Sequence, residues 1–275
     1  MKDIHYILCS EGRSGTHYLR YLLRKFHLGV IHETRPVHMS LEDVPHMPMR
    51  EYQFPLRQWK HNFLVADVHE GEALVYSRWI RSNPFSEWMD NLRRKADALD
   101  VSDADLLEHI YPGIKFIYLR REDYVKQAIS FIKGNQLEQW LSFTPSVEKE
   151  PEYRFSEIAE RSVLSFDSRT RWAKNFVRYN IEDPLEIVYE DFCEDPVKWL
   201  LRIKEYLGIT NDVPITAEAV QMHMEGEKAP QRQSDHINTE WEKRFYRDLE
   251  ILKERPWILK KLQKLSLPVD NEKKG

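Results

Sequence analysis

The sequence predicts an α/β protein with a central, mostly parallel β-sheet and helices on both of its faces. Three observations predict it. Short apolar runs alternate along the chain with longer segments of helical periodicity, the order that parallel βαβ units require. Helix boundaries carry their own signals, best seen where Asp195-Pro196 opens a helix and Gly208 closes it. At 275 residues a globular chain buries roughly three quarters of the surface its unfolded form exposes, so no disulfide or metal is needed to hold a single domain together.

The elements follow in order. Ile4-His5-Tyr6-Ile7-Leu8-Cys9-Ser10 reads as a short buried strand. The turn Glu11-Gly12-Arg13-Ser14-Gly15 leads into a helix from Thr16 to about His27, where Tyr18, Leu19, Leu22, Leu23 and Phe26 recur at three- and four-residue steps. Residues 34–60 hold four prolines and little periodicity and read as a long loop region. Phe63 to Val68 is a second strand candidate, and 76–111 reads as helical and irregular by turns, with a break at Asn83-Pro84. Pro112-Gly113 then turns the chain into the clearest strand, Ile114 to Leu119, followed by a helix from about Asp123 to Leu141. A loop over 142–155, a helix over 156–179 and a strand from Leu185 to Tyr189 come next. Residues 210–238 read as irregular, and a last helix covers about 240–254.

Composition narrows the function classes. Lys and Arg total 41 against 45 Asp and Glu, a net charge of −4, so no bulk field attracts nucleic acid and any anion site is local. Eight Trp, 13 Tyr and 12 Phe exclude a disordered chain. Cys9 and Cys193 make neither a disulfide framework nor a zinc spacing. The start of the chain lacks a signal peptide's apolar core, and no run reaches the ~20 apolar residues that span a bilayer. A soluble, reducing, cytoplasmic setting is expected.

Two motifs carry chemistry. A tight turn entering a helix N-terminus makes an anion site from unpaired N–H groups and the positive dipole end. Gly12 and Gly15 let the backbone approach a ligand, Ser14 and Thr16 add hydroxyls, and Arg13 adds a forked cation suited to phosphate-like oxygens. The turn is not a Walker A loop, since Gly-x-x-x-x-Gly-Lys-Ser/Thr is absent. The second motif, Leu119-Arg120-Arg121, ends the clearest strand, with Ser130 nine residues beyond Arg121. Carboxyl ends of parallel strands share one ligand-binding edge. A ligand with two phosphate-like groups fits two such cationic places.

Together these motifs resemble the bacterial carbohydrate sulfotransferases, the nodulation-factor and trehalose 2-sulfotransferase types in particular. Gly12-Arg13-Ser14-Gly15-Thr16-His17-Tyr18-Leu19 is similar to their 5′-phosphosulfate loop, and Arg120-Arg121 through Ser130-Phe131 to Gln136, Gln139 and Trp140 is similar to their 3′-phosphate strand and helix. Arg232-Gln233-Ser234-Asp235, Glu240-Trp241 and Arg244 resemble a C-terminal arrangement of the trehalose type, and Tyr189-Glu190-Asp191-Phe192 with Asp195-Pro196 fits the last strand and helix. The resemblance implies a P-loop-like three-layer fold over residues 1–268, with acceptor-side variation at 34–110 and a frayed tail at 269–275.

The resemblance also implies a donor, 3′-phosphoadenosine 5′-phosphosulfate (PAPS), with 3′,5′-ADP (PAP) as product and no metal. Gly12, Arg13, Ser14, Gly15, Thr16 and His17 would hold the 5′-phosphosulfate; Arg121 and Ser130 would hold the 3′-phosphate, with Arg232 and Gln233 as further donor contacts. Glu33 matches the family's general base and His32 stands next to it as an alternative. Asp67 occupies the place of a family lysine, facing either the sulfate side or an acceptor hydroxyl. Trp59, with Tyr76, Trp79, Phe85 and Trp88, is either a sugar platform or core, whereas Trp172, Trp199 and Trp257 read as core. The acceptor is expected to be a carbohydrate or glycolipid hydroxyl, and relatives of the trehalose type form homodimers. Two other readings remain: a nucleotide-dependent kinase, against which the missing Walker lysine speaks, and a non-catalytic nucleotide-binding module, motivated by Asp67.

Overall fold

The computed structural model describes residues 4–33, 75–95, 101–110, 112–137, 150–225 and 236–253, and these divide into two compact units. The first is built on a five-stranded sheet. Its strands are β1 (Ile4–Ser10), β2 (Val30–Glu33), β3 (Val75–Ile80), β4 (Lys115–Arg120) and β5 (Leu185–Val188), in the order β2-β3-β1-β4-β5, and every pairing is parallel. Helix α1 (Thr16–Lys25) follows β1, α2 (Ser82–Lys95) follows β3, and α3 (Leu106–Ile110) precedes β4. Helices α4 (Tyr124–Gln136) and α5 (Phe155–Arg178) lie between β4 and β5 in the chain. After β5 come α6 (Tyr189–Glu194), α7 (Pro196–Leu207), α8 (Ala217–Met224) and α9 (His236–Lys253).

The sheet is sandwiched as the α/β reading predicts, because alternate strand residues feed two cores. On one face Tyr6 and Leu8 of β1, Ile117 and Leu119 of β4 and Ile187 of β5 pack with Leu19, Leu22 and Leu23 of α1 and Leu200 and Ile203 of α7. On the other, Ile7, Cys9, Phe116 and Tyr118 pack with Phe85 and Met89 of α2, Leu106 and Leu107 of α3, and Trp172 near the end of α5. Helix α7 forms where its signals stand: the Asp195 carboxylate accepts from the Lys198 N–H at 2.9 Å, Pro196 occupies the first turn, and Gly208 ends the helix at φ 72°.

The second unit is helical. Ala128, Ile129 and Ile132 of α4, Ile158 and Ala159 of α5, and Trp241 and Phe245 of α9 form its core, with Phe155 stacked on Phe245 at 5.0 Å. Asp123 caps α4 by accepting from the Lys126 N–H at 2.8 Å. Gln136 closes the unit like one rung of a ladder, donating to the Glu152 carbonyl at 2.9 Å and accepting from its N–H at 2.6 Å.

Several elements differ from the sequence expectation. Pro84 does not break a helix; it sits in the first turn of α2, where its missing N–H is one that no helical carbonyl would have used. Residues 75–80 are a strand, β2 is a further strand, and the span 210–238 contains α8, whose Thr216 cap accepts from the Ala219 N–H at 3.2 Å. Helix α4 ends at Gln136, short of Leu141. The strand expected at Phe63 to Val68 lies outside the described residues.

Candidate active site

The loop between β1 and α1 spans five residues, Glu11 to Gly15, and two of them take the left-handed backbone, Arg13 at φ 66° and Gly15 at φ 84°. Gly15 is demanded twice. It occupies a conformation that L side chains resist, and a Cβ there would fall 2.0 Å from a ring carbon of Tyr189, the first residue of α6. At Gly12 the opposite holds, since a Cβ would meet nothing within 4 Å and the bare backbone faces open space. The hydroxyls of the loop are internal. Ser10, Ser14 and Thr16 are all buried; Ser14 Oγ donates to the Glu11 carbonyl at 2.6 Å, and Thr16 Oγ1 lies 3.2 Å from Ser10 Oγ and 3.4 Å from Ser14 Oγ. No side chain caps α1 and no acidic residue stands in its first turn. A ten-residue helix thus turns its positive end toward the loop with no capping side chain among the described residues.

The loop is braced from the α2 side. Glu11 Oε1 accepts from the Ser82 N–H at 2.9 Å, at the start of α2. Ser82 is itself held by α5: Arg171 Nε donates to its Oγ at 3.3 Å, and Asn175 Nδ2 donates to its carbonyl at 3.4 Å. Ser86 Oγ, one turn on, donates to Asn175 Oδ1 at 3.2 Å. Sequence reasoning passed over Glu11 because its partner lies 71 residues away. The one local hint is an acid at the mouth of a turn expected to bind an anion, where charge alone gives it no reason to be.

The residues predicted for the site fall as follows. Arg13 is partly buried in the loop, and His17 is the second residue of α1 and partly buried. His32 and Glu33 end β2, in register with Arg78 and Trp79 of β3, and Trp79 in turn is level with Leu8 of β1. With strands ~4.8 Å apart, β2 runs about 10 Å from β1, and its carboxyl end lies on the edge from which the loop emerges. Of the twin arginines, Arg120 forms an ion pair with Glu186 of β5. Arg121 follows directly and opens the second unit, in which Ser130 lies partly buried on α4. Asp67, Trp59, Arg232 and Gln233 lie outside the described residues, as does Trp257.

Phe85 is core, not a sugar platform: it is fully buried, with its ring 5.2 Å from Trp172 and 5.8 Å from both Trp88 and Tyr179. Trp172 and Trp199 are buried as expected. Burial, helped by the nearby Glu11 charge, pushes the Cys9 thiol well above its ordinary range, which suits a structural residue. Among the described residues no group of three or more His, Cys, Asp or Glu is placed to hold a metal, and no helix is long and apolar enough to cross a membrane.

A parallel sheet between two helical layers, whose first strand runs through a left-handed turn into a helix with no side-chain cap, is a P-loop-like arrangement. The Stf0 sulphotransferase profile matches residues 5–248, and the chain belongs to that family. It is a sulfotransferase. No curated protein matches the sequence. Among solved structures it is similar to a sulfotransferase from Alicyclobacillus acidocaldarius, at 17% identity over 90% of this chain and 93% of that one, with a TM-score of 0.44. It is also similar to a retinol dehydratase crystallised with retinol and PAP, at 17% identity over 97% and 83% of the two chains and a TM-score of 0.40. A third likeness is to a sulfotransferase from Mycobacterium avium, at 16% identity over 81% and 67%, with a TM-score of 0.35. Family membership rests on the profile match and not on these likenesses.

Proposed function

We propose that the protein uses PAPS to transfer a sulfuryl group to a hydroxyl of a carbohydrate or glycolipid. The observation that carries this reading is the Glu11–Gly15 loop: in a chain of this family, a left-handed turn delivers an arginine, a bare glycine backbone and an uncapped helix end to one place. That combination suits a dense, delocalised negative charge with no room for a side chain between it and the backbone.

In the proposed reaction the acceptor oxygen attacks sulfur in line. An oxygen–sulfur bond forms as the bond from sulfur to the 5′-phosphate oxygen breaks, and that oxygen keeps the electron pair and leaves as PAP. The acceptor proton passes to the Glu33 carboxylate, with His32 as the alternative base, a positioned base contributing ~10²–10⁴ in rate. Arg13, Thr16 and the loop N–H groups stabilise the charge that develops on the leaving oxygen. Arg121 and Ser130 recognise the 3′-phosphate, which ATP lacks, with Arg232 and Gln233 as additional donor contacts; Asp67 and Trp59 belong to the acceptor side. Arg120 is paired with Glu186, so the 3′-phosphate contact is assigned to Arg121.

Thermal shift tests the donor half. PAP raises the Tm, ATP raises it less, Arg121→Ala erases the difference, and Arg120→Ala preserves it. Equal stabilisation of the unsubstituted protein by ATP and PAP overturns the reading in favour of a kinase-like nucleotide site. Labelled PAPS with a glycan panel, read by mass spectrometry, tests the transfer half, and PAP binding without transfer to any acceptor overturns it.

A further inference from the structure

Tyr189 belongs to no motif with an assigned role, yet its ring occupies the space where a side chain at Gly15 would begin. A Cβ built on Gly15 would lie 2.0, 2.2 and 3.0 Å from Cδ2, Cε2 and Cγ of the Tyr189 ring. These atoms include the root of the ring, which cannot swing aside as the tip of a long side chain would. The Cδ2–Cε2 edge of the ring therefore fills the space beside Gly15 where any other residue's Cβ would be. Tyr189 is in turn fixed by its place. It follows Val188, the last residue of β5, and begins α6, whose buried Phe192 packs on Tyr18 of α1 at 5.1 Å between ring centroids. Strand β5 pairs with β4 and β4 with β1, so the sheet that carries the loop also carries the ring that backs it.

We infer that Tyr189 is a positioning residue for the donor loop: its ring presses on Gly15 and holds the left-handed turn that aims the first N–H groups of α1 at the donor's sulfate-bearing end. The inference rests on the donor reading above, but its mechanical part does not. The atoms that meet the Gly15 position are ring carbons, which suit this duty because they support the turn without competing for its N–H groups, as an oxygen at that edge would do. The duty also explains why the loop and the ring that meets it come from distant parts of the chain. A turn with two left-handed residues is not a local minimum of its own sequence, so a distant element must over-determine it.

The test uses Tyr189→Phe, Tyr189→Ala, Gly15→Ala and the double variant in the full chain. Amide hydrogen exchange of residues 15–17 without ligand is read first, then PAP affinity by calorimetry, then kcat and KM for PAPS. Tyr189→Ala is expected to speed exchange at 15–17 at least tenfold while the strands keep their protection, to weaken PAP about tenfold or more, and to raise KM for PAPS by the same factor. Tyr189→Phe keeps the ring and stays within threefold of the unsubstituted protein on every readout. Gly15→Ala loses PAP binding, and adding Tyr189→Ala restores part of it because the Cβ then has room. Unchanged exchange at 15–17 in a folded Tyr189→Ala protein overturns the inference, as does a double variant no better than Gly15→Ala. Faster exchange with no PAP binding by the unsubstituted protein keeps the mechanical part and removes the donor reading instead.

Discussion

Glu11 offers the sharpest test of how the loop is held. Its carboxylate accepts the first N–H of α2, from a residue that is only 1% exposed, so deleting it leaves a buried donor without its partner. A hydrogen bond to a charged acceptor contributes about 1.5–3 kcal/mol, and losing a helix cap costs about 1 kcal/mol. The contact is only partly buried, so the lower end applies: Glu11→Ala is expected to cost about 1.5–2 kcal/mol. In a unit of this size each kcal/mol moves Tm by about 2–4 °C, a fall of roughly 3–8 °C. Glu11→Gln keeps an acceptor oxygen and loses the charge, so it is expected to give up less than half of that. Differential scanning calorimetry reads the stability, and exchange of the Ser82 amide reads the bond itself. The two variants also separate brace from charge at the anion site, because Glu11→Gln removes a carboxylate while keeping the loop in place. Its PAP affinity is therefore expected to match or exceed that of the unsubstituted protein, whereas Glu11→Ala binds PAP more weakly. Equal melting of the Glu11→Ala and unsubstituted proteins, or equal losses in the two variants, would refute the bracing argument.

Two further outcomes follow from the packing. His223 on α8 has its ring edge-on to Phe26 at 5.3 Å, and burial, with the Lys25 charge adding to it, lowers its pKa below the ordinary value. The unfolded chain then binds a proton at about pH 6.5 that the folded one does not yet accept. The histidine's contribution is thus intact above that pH and is lost as pH falls through it toward the lower folded value. Tm followed from pH 7.5 to 5 is expected to fall less steeply in His223→Gln; identical slopes would remove His223 as the cause. Phe85→Ala opens a cavity among Trp172, Phe116 and Tyr179 and is expected to cost about 3–5 kcal/mol. Its melting curve moves accordingly, while acceptor KM in the surviving folded protein stays put; the reverse pattern would reinstate the sugar-platform reading.

What the sequence disclosed, and what it hid, divides by the range of the interaction. Helix α7 was legible because Asp195, Pro196 and Gly208 act on their immediate neighbours. Strand β4 was legible because four consecutive buried residues, Phe116 to Leu119, leave no alternative face. Strand β3 was not: Val75-Tyr76-Ser77-Arg78-Trp79-Ile80 carries a serine and an arginine mid-run, and its identity as a strand comes from pairing with β1 on one side and β2 on the other. Strand β2 has only four residues, two of them His and Glu, and exists as a strand through its partner. Helix α8 is hidden in a mostly polar stretch without apolar periodicity; Val220, packed in the core that α1 shares, and the Thr216 cap hold it. The same division runs through the site. Gly12, Arg13, Ser14, Gly15 and Thr16 suggest an anion turn by residue type alone, and that reading stands as a proposal, whereas the Glu11 brace and the Tyr189 ring beside Gly15 depend on pairings that no local pattern encodes.

Arg13 shows why the loop keeps a residue that its backbone resists. At φ 66° a non-glycine residue is strained by about 1–2 kcal/mol. Glycine would remove that strain, offset by about 0.5–1 kcal/mol for its greater freedom in the unfolded chain. Measured against Arg13→Ala, which loses the same side chain and keeps the strain, Arg13→Gly is therefore expected to be more stable by roughly 0.5–1 kcal/mol, a Tm difference of about 1–4 °C. The forked guanidinium is the one thing glycine lacks that a sulfate-bearing ligand can use. The same variant is then expected to lose PAP affinity by about tenfold or more, and Arg13→Lys, with a point charge and the same strain, falls between on affinity and gains nothing in Tm. Strain that coincides with a ligand contact trades stability for binding, and the opposed signs of the two readouts identify it. An Arg13→Gly protein that melts no higher than Arg13→Ala, or binds PAP as well as the unsubstituted protein, would show that the left-handed turn is set by the fold and owes nothing to the ligand.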